Sequence, residues 1–251
     1  MEILVLLKQI PDEDVQTEYQ DVDILNDSDK NVLKEALDLR DQYGGSVTVM
    51  GFGPASAQKV LKETLTYGIE RAVLVSDEEY RGMDISGVSK IVSEAVRHTG
   101  AYDLIMCGRQ AIDGDSAHMA AMTAGALQMP LIPYSKEIVI EGKKITAVCE
   151  SDQEDYRVES CLPAMVLSIR EQNQNRFPTV PDIMKTYNGT YQTEILSNEQ
   201  LKLSPPKKKI RKLRTYQQET VRKQKLFMLS GKDDSESAKN LEQFLRDRHV
   251  L

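Results

Sequence analysis

The stretch "YDLIMCGRQAIDGDSAHMAAMTAGALQ", residues 102 to 128, joins an apolar run to a helical pattern through a polar junction. The apolar run is short and suits a strand that is buried on both faces. At the junction, Gly108 permits close approach of the backbone and Gly114 can adopt a positive φ, while Asp115 or Ser116 can cap the helix that follows. The stretch therefore predicts a strand-to-helix unit whose connecting turn is unusually polar.

Three similar units precede this stretch along the chain. They are "EILVLLKQI" with "KNVLKEALDLRDQY", "SVTVMGF" with "ASAQKVLKETLTYG", and "RAVLVS" with "ISGVSKIVSEAVRHTG". Four β-α units in series predict an α/β fold with a doubly wound, right-handed parallel sheet. Ligands of such sheets bind beyond the carboxyl ends of the strands, and the polar junction after Gly108 lies at such an end.

The pattern changes after Pro130. The run "EIVIEGKKITAV" alternates around Glu141-Gly142 and predicts a β-hairpin, and "YRVESCLPAMVLSI" adds two extended runs. From Arg170 the sequence is polar and irregular until "SESAKNLEQFLRD", which predicts a single amphipathic helix. We therefore divide the chain into an α/β domain over residues 1–190 and an extended C-terminal arm over 191–251. The arm has too little periodic apolar sequence to fold alone, so we expect it to pack either on the body of its own chain or on a second chain.

Composition narrows the class of protein. The apolar runs are too short to cross a bilayer and the N-terminus lacks a basic region with a cleavage site, so we expect a cytoplasmic protein without membrane insertion. The three cysteines and three histidines are scattered, which predicts neither a disulfide framework nor a metal site. Residues 205–232 carry ten cations and one acid within a chain of net charge −7. A basic run of this kind forms a solvated face, a nucleic-acid-binding patch or a partner-binding arm. Only two aromatic residues, Tyr216 and Phe227, lie within it to stack on bases, so we expect no nucleic-acid partner.

Two strand-to-helix junctions have features that suit a phosphate. In "MGFGPAS", Gly51 and Gly53 let the backbone turn sharply and Pro54 fits the first helical turn, although a plain tight turn would use the same residues. At the second junction, Arg109 offers a planar cation suited to a phosphate or to an electron-rich ring. Asp113 and Asp115 by themselves could equally well only cap the helix and turn the chain, so the functional interpretation rests on the whole group of residues.

The segment "DLIMCGRQAIDGDSAHMAAMTAGAL" resembles the signature of the beta subunit of electron-transferring flavoproteins, and "LKQIPD", "GFGPASA" and "RFPTVPDIMK" agree with that family. The resemblance implies a fold like that of the adenine-nucleotide α hydrolases and a partner alpha subunit that carries FAD. It also implies a nucleotide, AMP or a second FAD, at the ends of the parallel strands. The implied cofactor-binding residues are Leu6, Leu7, Asn26, Phe52, Gly53, Gly108, Arg109, Gln110, Ala111, Ile112, Asp115, Ser116, Ala117, Met122 and Thr123.

Variants within the signature bear on which nucleotide is bound. Arg109 and Gly114 in "GRQAIDGD" resemble the electron-bifurcating members, in which beta-bound FAD accepts hydride from NADH. If FAD is bound, the resemblance implies that one of its electrons passes to the alpha flavin and an acyl-CoA dehydrogenase, and the other to a ferredoxin or flavodoxin. No side chain of this subunit is then needed as a catalytic acid or base. The "MTAG" of residues 122–125 instead resembles the AMP-binding type, in which the subunit is a structural clamp and not an enzyme. We favour FAD and retain AMP as the alternative.

The segment "RFPTVPDIMK", residues 176–185, resembles the recognition loop with which beta subunits bind an acyl-CoA dehydrogenase. The resemblance places Val180 in the anchor position, with Phe177, Ile183 and Met184 beside it. Pro178 and Pro181 would stiffen the loop. The alternative is a loop that packs only on its own subunit. Two rival functions, an adenine-nucleotide sensor without redox chemistry and a nucleic-acid-binding protein, would each leave residues 103–125 unexplained.

Overall fold

The computed structural model describes residues 1–11, 23–25, 27–109, 118–169, 176–204, 206–210 and 229–248. The chain divides into two compact units, residues 1–211 and residues 212–251. The strands of the first unit are β1 (Glu2–Leu7), β2 (Gln9–Pro11), β3 (Asp23–Leu25), β4 (Ser46–Phe52), β5 (Arg71–Val75), β6 (Leu104–Gly108), β7 (Leu131–Glu141), β8 (Lys144–Cys149), β9 (Tyr156–Cys161), β10 (Ala164–Ser168) and β11 (Gln192–Leu196). Its helices are α1 (Asp27–Tyr43), α2 (Gln58–Thr64), α3 (Ile85–Thr99), α4 (His118–Leu127), α5 (Val180–Tyr187) and α6 (Asn198–Leu201). The second unit contains helix α7 (Asp234–Asp247).

The main sheet of the described residues contains nine strands in the order β11-β5-β4-β1-β6-β10-β7-β8-β9. Every pairing from β11 to β7 is parallel, and β7, β8 and β9 form an antiparallel extension. From β1 the chain runs outward through β4 and β5 and then returns to place β6 on the other side of β1. The predicted doubly wound α/β fold is confirmed, and the strand order reverses between β1 and β6, where such sheets bind their ligands.

Helices cover both faces of this sheet. Ile3, Val5 and Leu7 point to the face that is covered by α1 and α2, whereas Leu4 and Leu6 point to the face that is covered by α3 and α4. Burial on both faces explains why β1 is an unbroken apolar run in the sequence. Among the described residues, no helix is long and apolar enough to cross a membrane.

Local residues mark the ends of several elements in the first unit. Gly68 ends the short 3-10 turn after α2 with a left-handed φ of 82°, a conformation that costs glycine little. The predicted hairpin turn lies between β7 and β8, and Gly142 adopts a φ of 62° there. Asp84 caps α3 by accepting a hydrogen bond from the Gly87 N–H at 2.9 Å.

The expectation of a single helix after Arg170 is wrong. Helices α5 and α6 and strand β11 precede the predicted last helix, which is confirmed as α7. The two extra helices contain only eight and four residues, too few for apolar periodicity to reveal them, and β11 depends on pairing with β5, which is distant in the sequence. The main sheet therefore extends beyond residue 190, where the sequence placed the domain boundary.

Candidate functional site

The carboxyl ends of β1 and β4 border a small apolar cleft. Leu7 pairs in register with Gly51 at this end of the sheet, and Phe52 follows at the last position of β4. The cleft is lined by Leu7, Leu25, Gly51, Phe52, Ala57, Val60 and Leu61. Two of the predicted cofactor-binding residues, Leu7 and Phe52, therefore border this cleft, although the side chain of Phe52 packs against the apolar cluster on the opposite face of the sheet. Gly53 follows Phe52 in the turn towards α2. Leu6 lies instead within the apolar cluster on the opposite face of the sheet.

The ring of Phe52 stacks on Tyr80, with the ring centroids 5.9 Å apart and the planes inclined by 24°. Tyr80 is buried, and its hydroxyl lies 3.3 Å from Oδ1 of Asn198, to which it donates a hydrogen bond. Asp77 accepts a second hydrogen bond, from the Asn198 backbone N–H at 3.0 Å. The start of α6 thus fixes the turn that carries Tyr80, and Tyr80 in turn supports Phe52. Sequence reasoning missed Tyr80 because no local pattern connects it with β4.

The carboxyl end of β6 packs closely against the first turn of α1. A Cβ atom added to Gly108 would lie 2.6 Å from Oδ1 of Asp29 and 2.6 Å from Oγ of Ser28. Oδ2 of Asp29 accepts a hydrogen bond of 2.7 Å from the Lys8 backbone N–H, which ties this carboxylate to the end of β1. The backbone at Gly108 does make a close approach, to the chain's own helix, and the predicted contact of Gly108 with a cofactor stays a prediction. Glycine is therefore required here by the fold itself.

The guanidinium of Arg109 lies over the ring of Tyr134, with Cζ 5.6 Å from the ring centroid. Arg109 is exposed, so its charge is available at the carboxyl end of β6. Tyr134 adopts a left-handed φ of 49°, and its carbonyl accepts a hydrogen bond of 2.9 Å from the Glu150 N–H. This conformation is uncommon for a bulky residue. It directs Tyr134 out of the regular alternation of β7, a direction that the sequence pattern does not show.

The other predicted cofactor-binding residues have different placements. Met122 is half-buried on α4, and Thr123 is fully buried there with its Oγ1 3.8 Å from Sδ of Met119. The remaining ones lie outside the described residues: Asn26, Gln110, Ala111, Ile112, Asp115, Ser116 and Ala117. In the parts of the chain that the structure describes, no cluster of His, Cys, Asp and Glu side chains is arranged to hold a metal ion.

Buried polar groups lie beneath this end of the sheet. Burial, reinforced by the charge of Asp29, raises the pKa of the Cys107 thiol to about 12. Glu35 on α1 is fully buried, and its Oε2 accepts a hydrogen bond of 2.5 Å from the Ser168 hydroxyl. Cys107 is therefore an inert thiol, and Glu35 fastens α1 to the end of β10.

Helix α5 carries a second set of predicted functional residues. Phe177 is 76% exposed, Val180 70% and Met184 63%, and Ile183 is also exposed. Positions 180, 183, 184 and 187 lie on one side of a helix, and this side faces solvent. The predicted loop is thus a helix that begins at Val180 with Thr179 as its N-cap. Contiguous exposed apolar side chains of this kind mark interaction surfaces.

Comparison with known proteins decides the family. A model of the electron transfer flavoprotein domain matches residues 15–197. An electron transfer flavoprotein subunit beta from Thermoanaerobacterium thermosaccharolyticum is 34% identical over 271 aligned positions, which cover 100% of both chains. This chain belongs to the beta subunits of the electron transfer flavoproteins. The family predicted from the signature around Arg109 is confirmed.

Further beta-subunit relatives extend the comparison. An electron transfer flavoprotein subunit beta from Megasphaera elsdenii is 31% identical, covering 95% of this chain and 94% of its own length. Subunit CarD of the caffeyl-CoA reductase-Etf complex of Acetobacterium woodii is 35% identical, covering 82% of this chain and 81% of its own length. The alignment with the Thermoanaerobacterium relative covers both chains completely, so it includes the C-terminal arm as well as the α/β unit.

Proposed function

We propose that this beta subunit forms one half of a heterodimer with an FAD-bearing alpha subunit, and that its C-terminal arm packs on that partner. Helix α7 supports the proposal: none of its residues is buried within its own unit, and Leu241 is 48% exposed. An amphipathic helix with no buried side chain gains little stability from packing. The chain should therefore be stable when it is produced together with the alpha subunit and unstable when it is produced alone. A stable, nucleotide-loaded monomer from expression alone would contradict this.

We further propose that the carboxyl ends of β1, β4 and β6 hold FAD. The residues present suit an adenine nucleotide: Leu7 lines the small apolar cleft on one face of these strand ends, Phe52 stacks on Tyr80 on the opposite face, and Arg109 provides an exposed cation. FAD bound here would accept hydride from NADH and pass single electrons to the alpha flavin with an acyl-CoA dehydrogenase and to a ferredoxin or flavodoxin. The second candidate is structural AMP, which the "MTAG" of residues 122–125 favours.

The chain's own residues would bind and orient the nucleotide. Leu7 covers the strand ends on one face of the sheet, Tyr80 supports Phe52 on the opposite face, and Arg109 offers its guanidinium to a phosphate or an anionic ring. A charge-assisted contact of this kind contributes about 1.5–3 kcal/mol once it is desolvated. It should therefore decide how firmly the second nucleotide is retained.

Replacement of Arg109 tests this assignment. In the heterodimer, Arg109→Ala should release the beta nucleotide selectively during gel filtration while the alpha flavin is retained. The matched control is Arg157→Ala, because Arg157 is exposed on β9, away from the cleft. Equal nucleotide content in wild type, Arg109→Ala and Arg157→Ala would contradict the role of Arg109.

We also propose that the exposed side of α5 docks on an acyl-CoA dehydrogenase, as the CoA-linked name of the Acetobacterium relative suggests. The observation that supports this is the exposure of Phe177, Val180 and Met184. Val180→Asp should raise the KM for the dehydrogenase at least tenfold, because a charge would be desolvated at the centre of the contact. The control is Val139→Asp, since Val139 is 51% exposed on the distant strand β7. Unchanged kinetics for Val180→Asp would refute the docking surface.

A further inference from the structure

Helix α5 is oriented opposite to an ordinary surface helix. Its apolar side chains face solvent, whereas Thr186, on the other side, is 1% exposed and Asp182 is largely covered. A surface helix is normally held by the burial of its apolar side. Here that contribution is small, so polar contacts on the inner side must hold the helix in place.

The carboxylate of Asp182 is the centre of these polar contacts. Its Oδ2 accepts a hydrogen bond of 2.5 Å from the Thr179 hydroxyl, and its Oδ1 accepts one of 2.8 Å from the Tyr191 hydroxyl. Thr179 also caps the helix by accepting a hydrogen bond from the Asp182 N–H at 3.2 Å. The hydrogen bond from Thr179, followed by that from Tyr191, holds the pKa of Asp182 below its ordinary value.

Tyr191 connects the helix to the main sheet. It lies directly before β11, where the Gln192 N–H donates a hydrogen bond of 3.0 Å to the Glu70 carbonyl, and β11 then pairs with β5. The backbone at Tyr191 is thus fixed to the sheet edge, and its hydroxyl reaches back nine residues to Asp182. The ammonium of Lys185 lies 3.3 Å from the same hydroxyl. The phenol therefore links the sheet edge to the middle of α5.

The body of the α/β unit leaves room for this carboxylate. A Cβ atom added to Gly68 would lie 3.4 Å from Oδ2 of Asp182, and the Gly68 carbonyl accepts a hydrogen bond of 2.7 Å from Arg40. On the N-terminal side, Arg176 pairs with Asp41 of α1 at 2.9 Å. Both ends of the α5 segment are consequently attached to the body through polar groups.

We propose that Asp182 and Tyr191 are positioning residues for docking: they hold α5 so that its apolar side is presented to the partner in one fixed orientation. The inference rests on the proposed docking function of that surface. A surface that is already ordered loses less conformational freedom on binding. Loosening α5 should therefore weaken docking without changing electron transfer inside the docked complex.

The test uses the heterodimer and a purified acyl-CoA dehydrogenase from the same organism. Tyr191→Phe removes only the hydroxyl, and we expect the KM for the dehydrogenase to rise about three- to tenfold, as for a lost hydrogen bond to a charged group, with kcat unchanged. Tyr156→Phe is the matched control, since in the described part of the chain the Tyr156 hydroxyl has no hydrogen-bond partner. Asp182→Ala should raise the KM further, and Asp182→Asn, which keeps an acceptor oxygen, should recover part of the loss.

A second measurement separates positioning from general stability. Amide hydrogen exchange of the heterodimer alone should become faster in α5 of Tyr191→Phe, while exchange in β4 and β5 stays as in wild type. The inference would be overturned if Tyr191→Phe and Asp182→Ala kept the KM and the hydrogen exchange of the wild type while Val180→Asp raised the KM. That result would still support the docking surface. A wild-type KM for Val180→Asp would instead refute the docking function on which the inference rests.

Discussion

Gly108→Ala tests the packing beneath the proposed nucleotide site, because the structure gives the size of the clash. The new Cβ would lie 2.6 Å from both Oδ1 of Asp29 and Oγ of Ser28, about 0.8 Å inside an ordinary van der Waals contact. Asp29 cannot swing away freely, since its other oxygen accepts the Lys8 N–H at 2.7 Å. Relief therefore requires α1 or β6 to shift, and overpacking of this kind costs about 1–3 kcal/mol.

The assay is thermal unfolding of the heterodimer, with the released nucleotide measured in parallel. For a unit of this size, about 2–4 °C per kcal/mol gives an expected fall in Tm of about 2–12 °C. The matched control is Gly125→Ala in α4, where an added Cβ meets no atom within 4 Å and alanine favours the helix by about 1 kcal/mol. A Tm for Gly108→Ala equal to that of wild type would refute the packing argument.

Two further predictions follow from the titratable groups. Burial raises the pKa of Cys107 to about 12, whereas Cys161 is exposed. A thiol reagent at neutral pH should therefore label Cys161 in the native protein and Cys107 only after unfolding. Rapid labelling of Cys107 in the native protein would contradict its burial. Hydrogen bonds from backbone N–H groups, including those of Gly87 and Ile210, lower the pKa of Asp84. The Asp84 carboxylate should therefore anchor residues 206–210 at every pH above its ordinary pKa of 3.8. This anchor should be lost as the pH falls through the lower pKa of the folded state. Limited proteolysis should then cut this segment in acid, or at neutral pH in Asp84→Ala, and equal resistance of Asp84→Ala and wild type would refute the anchor.

The sequence predicts the fold where neighbouring residues determine it. The first three β-α units each combine a buried strand, a helical apolar pattern and a glycine stop, as at Gly68, and all three signals are local. Strand β10 was recognisable as extended, but its parallel position between β6 and β7 follows only from three-dimensional packing. Strand β11 and helix α5 were missed for the same reason, since a distant strand and a polar inner side hold them.

The candidate site also contains some residues that the sequence reveals and others that only the three-dimensional structure reveals. Leu7, Phe52 and Arg109 could be selected because they follow strand ends and match a family signature. Tyr80 and Tyr134 could not, because they reach Phe52 and Arg109 from segments about 25 residues away in the sequence. Tyr134 is further concealed by its left-handed φ of 49°, which breaks the alternation that a strand pattern assumes.

The proposed FAD site at the carboxyl ends of β1, β4 and β6 is the central functional claim. The most direct measurement is to denature the purified heterodimer and quantify the nucleotides released, and to follow flavin absorbance when NADH is added without an acyl-CoA dehydrogenase. The account predicts two FAD and no AMP per heterodimer, with flavin bleached by NADH alone. One FAD and one AMP, with no direct response to NADH, would contradict it and identify this beta subunit as a structural clamp.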